Sequence, residues 1–346
     1  MARTKELDML NGALLPKLMM FSLPLALTGI LQLLFNAADV IVVGKFAGST
    51  SLAAVGATSA LINLLTGAFI GISVGVNILV ARYIGCQDDA GVSRAVHSAV
   101  TLSLLLGVVT FLLGFFLSTP MLELMGTPDD VLRLASLYLR IYFIGIPGAL
   151  IYNFAAAILR AYGDTKRPLL FLAVSGVLNV FLNLFFVIVC RLDVAGVAIA
   201  TVVSQYVSVV LILVCLMRQT GPARLSLRQL RLHPSEALRM IQIGLPAGLQ
   251  SVIFNISNVM IQQAVNSFGS VVIAANTAAA NLGNFTYTAM NAVFNAVVTF
   301  TSQNLGAGRL SRIGKIYLGG IAAVLLIGVP MCAGSILFGR PLLSVY

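Results

Sequence analysis

Charged residues are scarce in this chain of 346 residues, since Asp, Glu, Lys and Arg together make up only 9% of it. A water-soluble domain of this size carries roughly a quarter charged residues. Hydrophobic residues make up 59% of the chain, and its mean hydropathy is +1.00. The core of a soluble domain cannot enclose so much apolar surface, which indicates that lipid is the solvent. The composition therefore predicts an integral membrane protein.

The sequence also lacks the usual marks of an enzyme. It contains no Walker loop, no HExxH and no pair of carboxylates on one predicted helix. Its four cysteines are widely spaced, so neither a disulfide framework nor a metal site is predicted, and His97 and His233 have no neighbour at ligand spacing. We expect a protein that is not an enzyme, with no cofactor and no metal beyond a possible coupling Na⁺.

The net charge of +10 does not indicate a nucleic-acid partner, because the basic residues stand singly in short gaps between apolar runs. Nine of these runs are long enough to cross a bilayer, for which about 20 residues are needed. The predicted all-α polytopic fold has spans near residues 18–43, 53–83, 95–118, 131–158, 168–190, 194–217, 238–266, 271–304 and 314–338.

The distribution of basic residues predicts the orientation of the spans. With residues 1–17 in the cytoplasm, most of the 21 Lys and Arg residues fall in cytoplasmic segments. The outer segments then hold only Lys45, Arg133, Arg191 and Arg340, and Arg140 falls inside the fourth span. The positive-inside rule therefore predicts a cytoplasmic N-terminus, and the first apolar run is too long for a cleavable signal peptide.

An internal repeat predicts two lobes. Leu23-Pro24 matches Leu245-Pro246, Phe35-Asn36 matches Phe254-Asn255, and the stretch 81–85 matches 302–306, all at an offset near 220 residues. The repeat starts at the first and the seventh span, so its unit has six helices and keeps the same orientation.

We therefore expect two six-helix bundles in a parallel repeat. Residues 1–217 would form the N-terminal lobe and 218–237 a cytoplasmic linker, while 238–346 would form a C-terminal lobe with three of its six helices. Two complete units would need twelve spans, so the sequence predicts a chain that lacks the last three.

Asp39 is the only carboxylate within an apolar run, and a charge in a span is costly and seldom without function. It lies about 20 residues above the inner end of its span, in the outer part of the membrane. The alternative is that Asp39 merely ends its helix at the outer interface. Asn179 and Asn183 are spaced i, i+4 on one face of the fifth span, and Thr201 and Tyr138 fall near the same depth.

A carboxylate among amide and hydroxyl oxygens could bind a proton or a hard cation such as Na⁺. The neutral residues could equally serve only as hydrogen-bonding partners between helices. Pro24 and Pro246 occupy matching positions of the first and seventh spans, where each removes a backbone hydrogen bond, and we interpret them as hinges. Arg140 could line a cavity or extend to the outer surface, and the sequence leaves both open.

Five segments resemble the multidrug and toxin extrusion (MATE) transporters, and the string RAYGDTKRP at 160–168 is the most specific of them. The segments are residues 34–44, 52–58, 158–168, 196–201 and 302–308. The resemblance implies that Asp39 is the cation-responsive group, with Asn179, Asn183 and Thr201 beside it and Tyr138 in the substrate cavity. We assign Asn36, which lies one turn before Asp39, to that cavity as well.

Two positions depart from the family pattern. Asn183 stands where many relatives carry a second carboxylate, and Asn258 stands at the position that matches Asp39 in the second lobe. A coupling scheme with two acidic residues is therefore in doubt for this chain.

The resemblance implies a secondary antiporter of the plasma membrane that exports organic, often cationic, compounds in exchange for H⁺ or Na⁺. We expect a monomer whose partners are the bilayer and a small-molecule substrate. The nearest alternative is a lipid-linked oligosaccharide flippase of the same wider superfamily, which should line its cavity with basic residues to meet a pyrophosphate. A scaffold or receptor without transport would explain neither the repeat nor the buried carboxylate.

Overall fold

The computed structural model of the chain describes residues 7–266, 268 and 270–338. In these ranges the chain is almost entirely helical, which confirms the predicted fold class. The predicted inner residues Arg3 and Lys5 and the predicted outer residue Arg340 lie outside the described residues. The long helices are α1 (Leu14–Val42), α2 (Ser49–Gly85), α3 (Asp89–Leu124), α4 (Asp129–Ala161), α5 (Lys166–Leu184), α6 (Asp193–Met217), α7 (Pro234–Asn266), α8 (Ser270–Gly306) and α9 (Leu310–Leu337).

Within the described ranges, eight helices are long and apolar enough to cross a membrane. The sequence predicted nine spans, and α8 accounts for the difference. Its length is sufficient, but asparagines such as Asn284, Asn291 and Asn295, together with several threonines, lower its hydropathy. Every predicted span corresponds to one observed helix, and each helix begins one to six residues before its apolar run.

The first six helices form one bundle, in which α4 is central and packs against α2, α3 and α6. Small and aromatic residues of α4, including Phe143, Phe154 and Ala155, are fully buried there. The remaining helices pack onto this bundle rather than standing apart, since α7 contacts α2 and α8 contacts both α1 and α2.

The two repeats meet in a reciprocal contact at the ends of α2 and α8. A methyl group on Gly85 would come within 2.1 Å of the Gln303 carbonyl oxygen, and one on Gly306 would come within 2.2 Å of the Arg82 carbonyl oxygen. Because Gly85 matches Gly306 and Arg82 matches Gln303 in the repeat, each helix presents the same surface to the other. Only glycine allows backbones to approach so closely.

A short strap, residues 7–13, crosses this same end of the molecule. Leu7 lies against Gly163 in the turn between α4 and α5, and Met9 is 1% exposed beside Phe300 of α8. The Met9 carbonyl accepts a hydrogen bond from Asn304 Nδ2 (3.2 Å), and the Leu10 carbonyl accepts one from Arg309 Nη1 (2.6 Å). The strap therefore touches both repeats.

Asp8 holds the turn of this strap. Partial desolvation acts to raise the pKa of Asp8. Hydrogen bonds from the backbone N–H groups of Leu10 and Asn11, together with the nearby Lys17 ammonium, outweigh this effect and lower the pKa. The carboxylate is therefore charged at neutral pH.

The predicted linker 218–237 lies against α3, and α7 begins at Pro234, four residues before the predicted start of its span. His97 Nε2 accepts a hydrogen bond from the backbone N–H of Ser226 (3.1 Å), and Ser98 Oγ accepts one from the backbone N–H of His233 (3.0 Å). Both histidines, to which the sequence analysis gave no role, thus attach the linker to the first bundle.

Candidate functional site

The site forms where α1 approaches α5. Gly176 of α5 leaves room for the Phe35 ring of α1, whose nearest atom would lie only 1.8 Å from a methyl group at Gly176. Asp39 follows Phe35 by one helical turn, and Asn179 and Asn183 follow Gly176 by one and two turns. The close approach at Phe35 therefore brings the carboxylate of Asp39 to the amides of α5.

A continuous chain of hydrogen bonds runs from α1 through α5 to α6. Asn183 Nδ2 donates to Asp39 Oδ1 and also to Asn179 Oδ1 (3.2 Å). Asn179 Nδ2 donates in turn to Thr201 Oγ1 (3.4 Å), and Thr201 donates to the Val197 carbonyl (3.0 Å). All four residues that the sequence analysis assigned to ion coupling thus lie in one network. The structure does not test their role in coupling.

Among the described residues, one acceptor in this network has no donor. Asn183 is fully buried, and its Oδ1 atom makes no hydrogen bond within that part of the chain, while both N–H groups of its amide are used. A buried acceptor without a partner costs roughly 1–3 kcal/mol. An oxygen in this state, next to a carboxylate, is suited to bind a cation or to accept a hydrogen bond from a protonated acid.

Both site helices change their winding just beyond the site. The α1 helix continues as a π-helical turn over Val43–Ala47, and α5 continues as another over Phe185–Val189. Such wide turns are rare and are found frequently at functional sites. Here they begin four residues after Asp39 and two residues after Asn183.

Two aromatic residues of α4 face the same site. Tyr138, assigned to the substrate cavity, is 5% exposed, and its ring stacks on that of Tyr142 with centroids 6.1 Å apart. Both phenols lie close enough to Asp39 for its charge to act on them. The sequence analysis named Tyr138 but missed Tyr142, although the i, i+4 spacing that linked the two asparagines would have indicated it.

Gln205 of α6 was missed for the same reason. It follows Thr201 by one turn, and its side chain covers Gly145 of α4 and interacts with Tyr142. In the described part of the chain, its buried Oε1 atom accepts no hydrogen bond. An amide four residues from a predicted site residue, in an apolar helix, was the available signal.

Asn36, the other residue assigned to the cavity, is exposed on α1 and makes no hydrogen bond in the described part of the chain. It lies next to the network along the helix but does not join it. Its assignment to the substrate cavity stays a prediction.

The two predicted hinge prolines lie inside unbroken helices. Pro24 is buried in α1, where Thr28 Oγ1 donates to its carbonyl (2.8 Å). Pro246 is exposed on α7 and lines an apolar groove of about 450 Å³ with Gln250, Phe254 and other residues of that helix. Each proline removes a backbone hydrogen bond from its helix, which allows bending but does not demonstrate it.

Comparison with known proteins gives a consistent result. The MatE family model matches residues 24–185 and 246–346. "Probable multidrug resistance protein YpnP" of Bacillus subtilis (strain 168) is 31% identical over 309 residues, which cover 89% of this chain and 69% of that protein. An "FAD transporter" of Shewanella oneidensis is 26% identical over 337 residues, covering 95% of this chain and 74% of that protein.

A solved structure has the same fold. It is described as the outward-facing conformation of a multidrug resistance MATE family transporter of the MOP superfamily, and it superposes with a TM-score of 0.91. The match covers 99% of this chain and 76% of that chain at 24% identity. On the family model and the first of these relatives, the chain belongs to the MatE family, the multidrug and toxin extrusion transporters, and is a multi-pass membrane protein.

Proposed function

We propose that this chain is an antiporter that exports organic, often cationic, compounds in exchange for H⁺ or Na⁺, with Asp39 as the coupling carboxylate. The observation that carries the proposal is the network of Asp39, Asn183, Asn179 and Thr201 with its free acceptor at Asn183 Oδ1. A cation bound here would neutralise the buried carboxylate and supply a partner for the Asn183 Oδ1 acceptor.

Either coupling ion fits this chemistry. A proton on Asp39 would turn an acceptor into a donor, and a rotation of the Asn183 amide would then let Oδ1 receive it. Na⁺ would instead be held by the carboxylate, Asn183 Oδ1 and the neighbouring oxygens of Asn179 and Thr201, which are hard ligands. In both cases the ion neutralises Asp39 and changes how α1 is held against α5.

Transport would follow from this change. Neutralising Asp39 weakens the attraction between the carboxylate and the Asn183 amide, and α1 could then bend at Pro24. Bending would shrink the space beside Tyr138 and Tyr142 and release the exported compound. Ion entry and drug release would thus be coupled through one helix, with alternating access between the two lobes.

The distribution of basic residues supports an orientation of the protein in the membrane. The strap, the linker and most basic residues lie at one end of the molecule, which the positive-inside rule assigns to the cytoplasm. We propose the plasma membrane as the location and a monomer as the working unit, with a small molecule as substrate and no enzymatic activity.

Flavin dinucleotide export is the second candidate, because one relative is named an FAD transporter. A pyrophosphate would need basic residues beside it, as would the lipid-linked sugar of a flippase. The charge that acts on Tyr138 and Tyr142 is the carboxylate of Asp39, and Arg140 lies on the opposite side of α4. This balance of charge favours a cationic substrate.

The decisive experiment is efflux of a cationic dye from cells that express the full-length protein, with the Na⁺ and proton gradients collapsed in separate runs. We expect Asp39→Asn to lower ion-driven efflux by about tenfold or more, since it removes the only carboxylate of the network. Collapse of one gradient, and not of the other, should stop transport by the wild type and so identify the coupling ion.

Asp193→Asn is the matched control. Asp193 is an exposed residue at the start of α6 with a φ of 46°, a conformation that asparagine adopts readily. The same chemical change there should leave efflux unchanged. Ion-dependent efflux that survives Asp39→Asn would refute the coupling role of Asp39.

A further inference from the structure

Arg140 does not face the site around Asp39. Residues of a helix are about 100° apart, so Arg140 lies some 200° from Tyr138 and, on the other side, from Tyr142. Both tyrosines lie near Asp39, whereas Arg140 is exposed and turns to α3. Of the two alternatives that the sequence left open, a place in this cavity is therefore excluded.

Hydroxyl groups of α3 hold the guanidinium in place. Arg140 Nε donates to Ser118 Oγ (3.3 Å) and Nη2 donates to Thr119 Oγ1 (3.2 Å). Thr119 is itself hydrogen-bonded to Ser136 of α4 (2.6 Å), and the guanidinium lies 5.9 Å from the centre of the Phe115 ring. Within the described residues, neutral partners thus fix the group and no carboxylate pairs with it.

The direction of the side chain follows from helix geometry. Cα–Cβ bonds tilt towards the start of a helix, and α4 starts at Asp129, so Arg140 points to that end of the bundle. Ser118 lies six residues before the end of α3 at Leu124, a rise of about 9 Å. The guanidinium therefore lies near the level of the lipid headgroups in the leaflet at the Asp129 end.

A second arginine lies on the same stripe of α4. Arg133 precedes Arg140 by seven residues, two full turns, and is also exposed. Neither arginine forms an ion pair in the described part of the chain. Three carboxylates, Glu123, Asp129 and Asp130, are exposed at the turn between α3 and α4. Asp129 lies one turn before Arg133, whereas Arg140 lies about three turns from that water-facing end.

Large apolar side chains flank the two arginines. On α3, Phe116 is 69% exposed and Leu113 is 55% exposed, and on α4 Leu137 is 44% exposed. A surface of this kind, a fixed guanidinium above exposed hydrocarbon, matches a molecule with a negative headgroup and long acyl chains. Basic groups beside transmembrane helices bind anionic lipid headgroups in this way.

We propose that Arg140, held in place by the Ser118 and Thr119 hydroxyls, and Arg133 bind the phosphate of an anionic glycerophospholipid in the leaflet at the Asp129 end of α4. The acyl chains lie along Leu113, Phe116 and Leu137. The lipid holds α3 against α4, on the face of the bundle that lies opposite the ion site.

Native mass spectrometry of the full-length protein, titrated with phosphatidylglycerol or phosphatidylcholine, tests this site. Phosphatidylglycerol should bind more tightly than phosphatidylcholine. Arg140→Gln and Arg133→Gln should each weaken phosphatidylglycerol binding by about fivefold and leave phosphatidylcholine binding unchanged. Arg140→Lys should retain part of the preference, because it keeps the charge and loses the planar donor fork.

Arg191→Gln is the control, since it removes the same charge from the exposed loop between α5 and α6, at the same end of the bundle. It should change phosphatidylglycerol binding by no more than about twofold, because distant exposed charges are screened. Arg133 makes no hydrogen bond in the described structure, so Arg133→Gln remains informative if Arg140→Gln does not fold. Equal effects of the three glutamine variants, equal binding of both lipids, or displacement of the lipid by millimolar inorganic phosphate would overturn the proposal.

Discussion

Gly176 controls how closely α1 can approach α5, and therefore how Asp39 meets Asn183. A methyl group at this position would overlap the Phe35 ring, whose nearest atom lies 1.8 Å away. We expect Gly176→Ala to push the helices apart, to cost about 1–3 kcal/mol of stability as overpacking does, and to lower efflux. The measurements are denaturant unfolding in micelles and dye efflux on the same preparation.

Gly56→Ala is the matched control for this prediction. A methyl group at Gly56 of α2 would meet no atom within 4 Å, so the variant should keep its efflux. Its stability should be unchanged or higher by up to about 1 kcal/mol, as expected for alanine in a helix. Equal changes in stability and efflux for Gly176→Ala and Gly56→Ala would show that the close approach of Phe35 to Gly176 does not assemble the site.

At this scale the sequence predicted identities better than contacts. Depth in the membrane grouped Asp39 with Asn179, Asn183 and Thr201, because helical rise converts residue number into height. Depth cannot tell which way a side chain turns around its helix, so it could not predict that Asn36 stays outside the hydrogen-bond network or that Arg140 turns to α3. The free oxygen of Asn183 was not predictable at all, since it depends on which atom of the amide meets Asp39.

At the scale of elements, the strap is the least expected feature. Met9 of the strap is 1% exposed, and we expect Met9→Ala to cost about 2–5 kcal/mol, the range for deleting a buried methionine side chain. Met20→Ala should cost within about 0.5 kcal/mol, because Met20 is 58% exposed on α1. The free energy of unfolding measured for both variants checks the prediction, and equal losses would show that the strap does not contribute.

The sequence analysis missed the strap, and it missed how the predicted linker is attached, for one physical reason. Hydropathy identifies helices that lipid surrounds, but it carries no signal for polar segments that bind through backbone groups. The strap is held by its own carbonyls, which accept from Asn304, Arg309 and Arg312, and the linker by its backbone N–H groups. Such contacts depend on where the chain passes, which a hydropathy pattern does not encode.

At the scale of the whole molecule, the repeat predicted two units of like orientation, and the reciprocal contact of Gly85 with Gly306 agrees with it. The repeat could not predict that the two units are joined at the end that carries the strap. There Gln303 Nε2 donates to the Ala161 carbonyl (2.7 Å) and Thr299 Oγ1 donates to Asn77 Oδ1 (2.9 Å). If the protein works by alternating access, these contacts must separate in every transport cycle.

A reversible cross-link across this seam tests that requirement. Asn77 on α2 and Thr299 on α8 touch, so cysteines at both positions can be joined by oxidation to a disulfide, in a background whose four native cysteines are serine. We expect the joined protein to lose efflux by about tenfold or more, because the seam can no longer open. Reduction should restore transport to the level before cross-linking.

The single variants Asn77→Cys and Thr299→Cys, treated in the same way, report the cost of losing the hydrogen bond alone. Unchanged efflux in the joined protein would mean that the two units do not separate at this end. The proposed mechanism would then have to open the substrate path to this side of the membrane at another place.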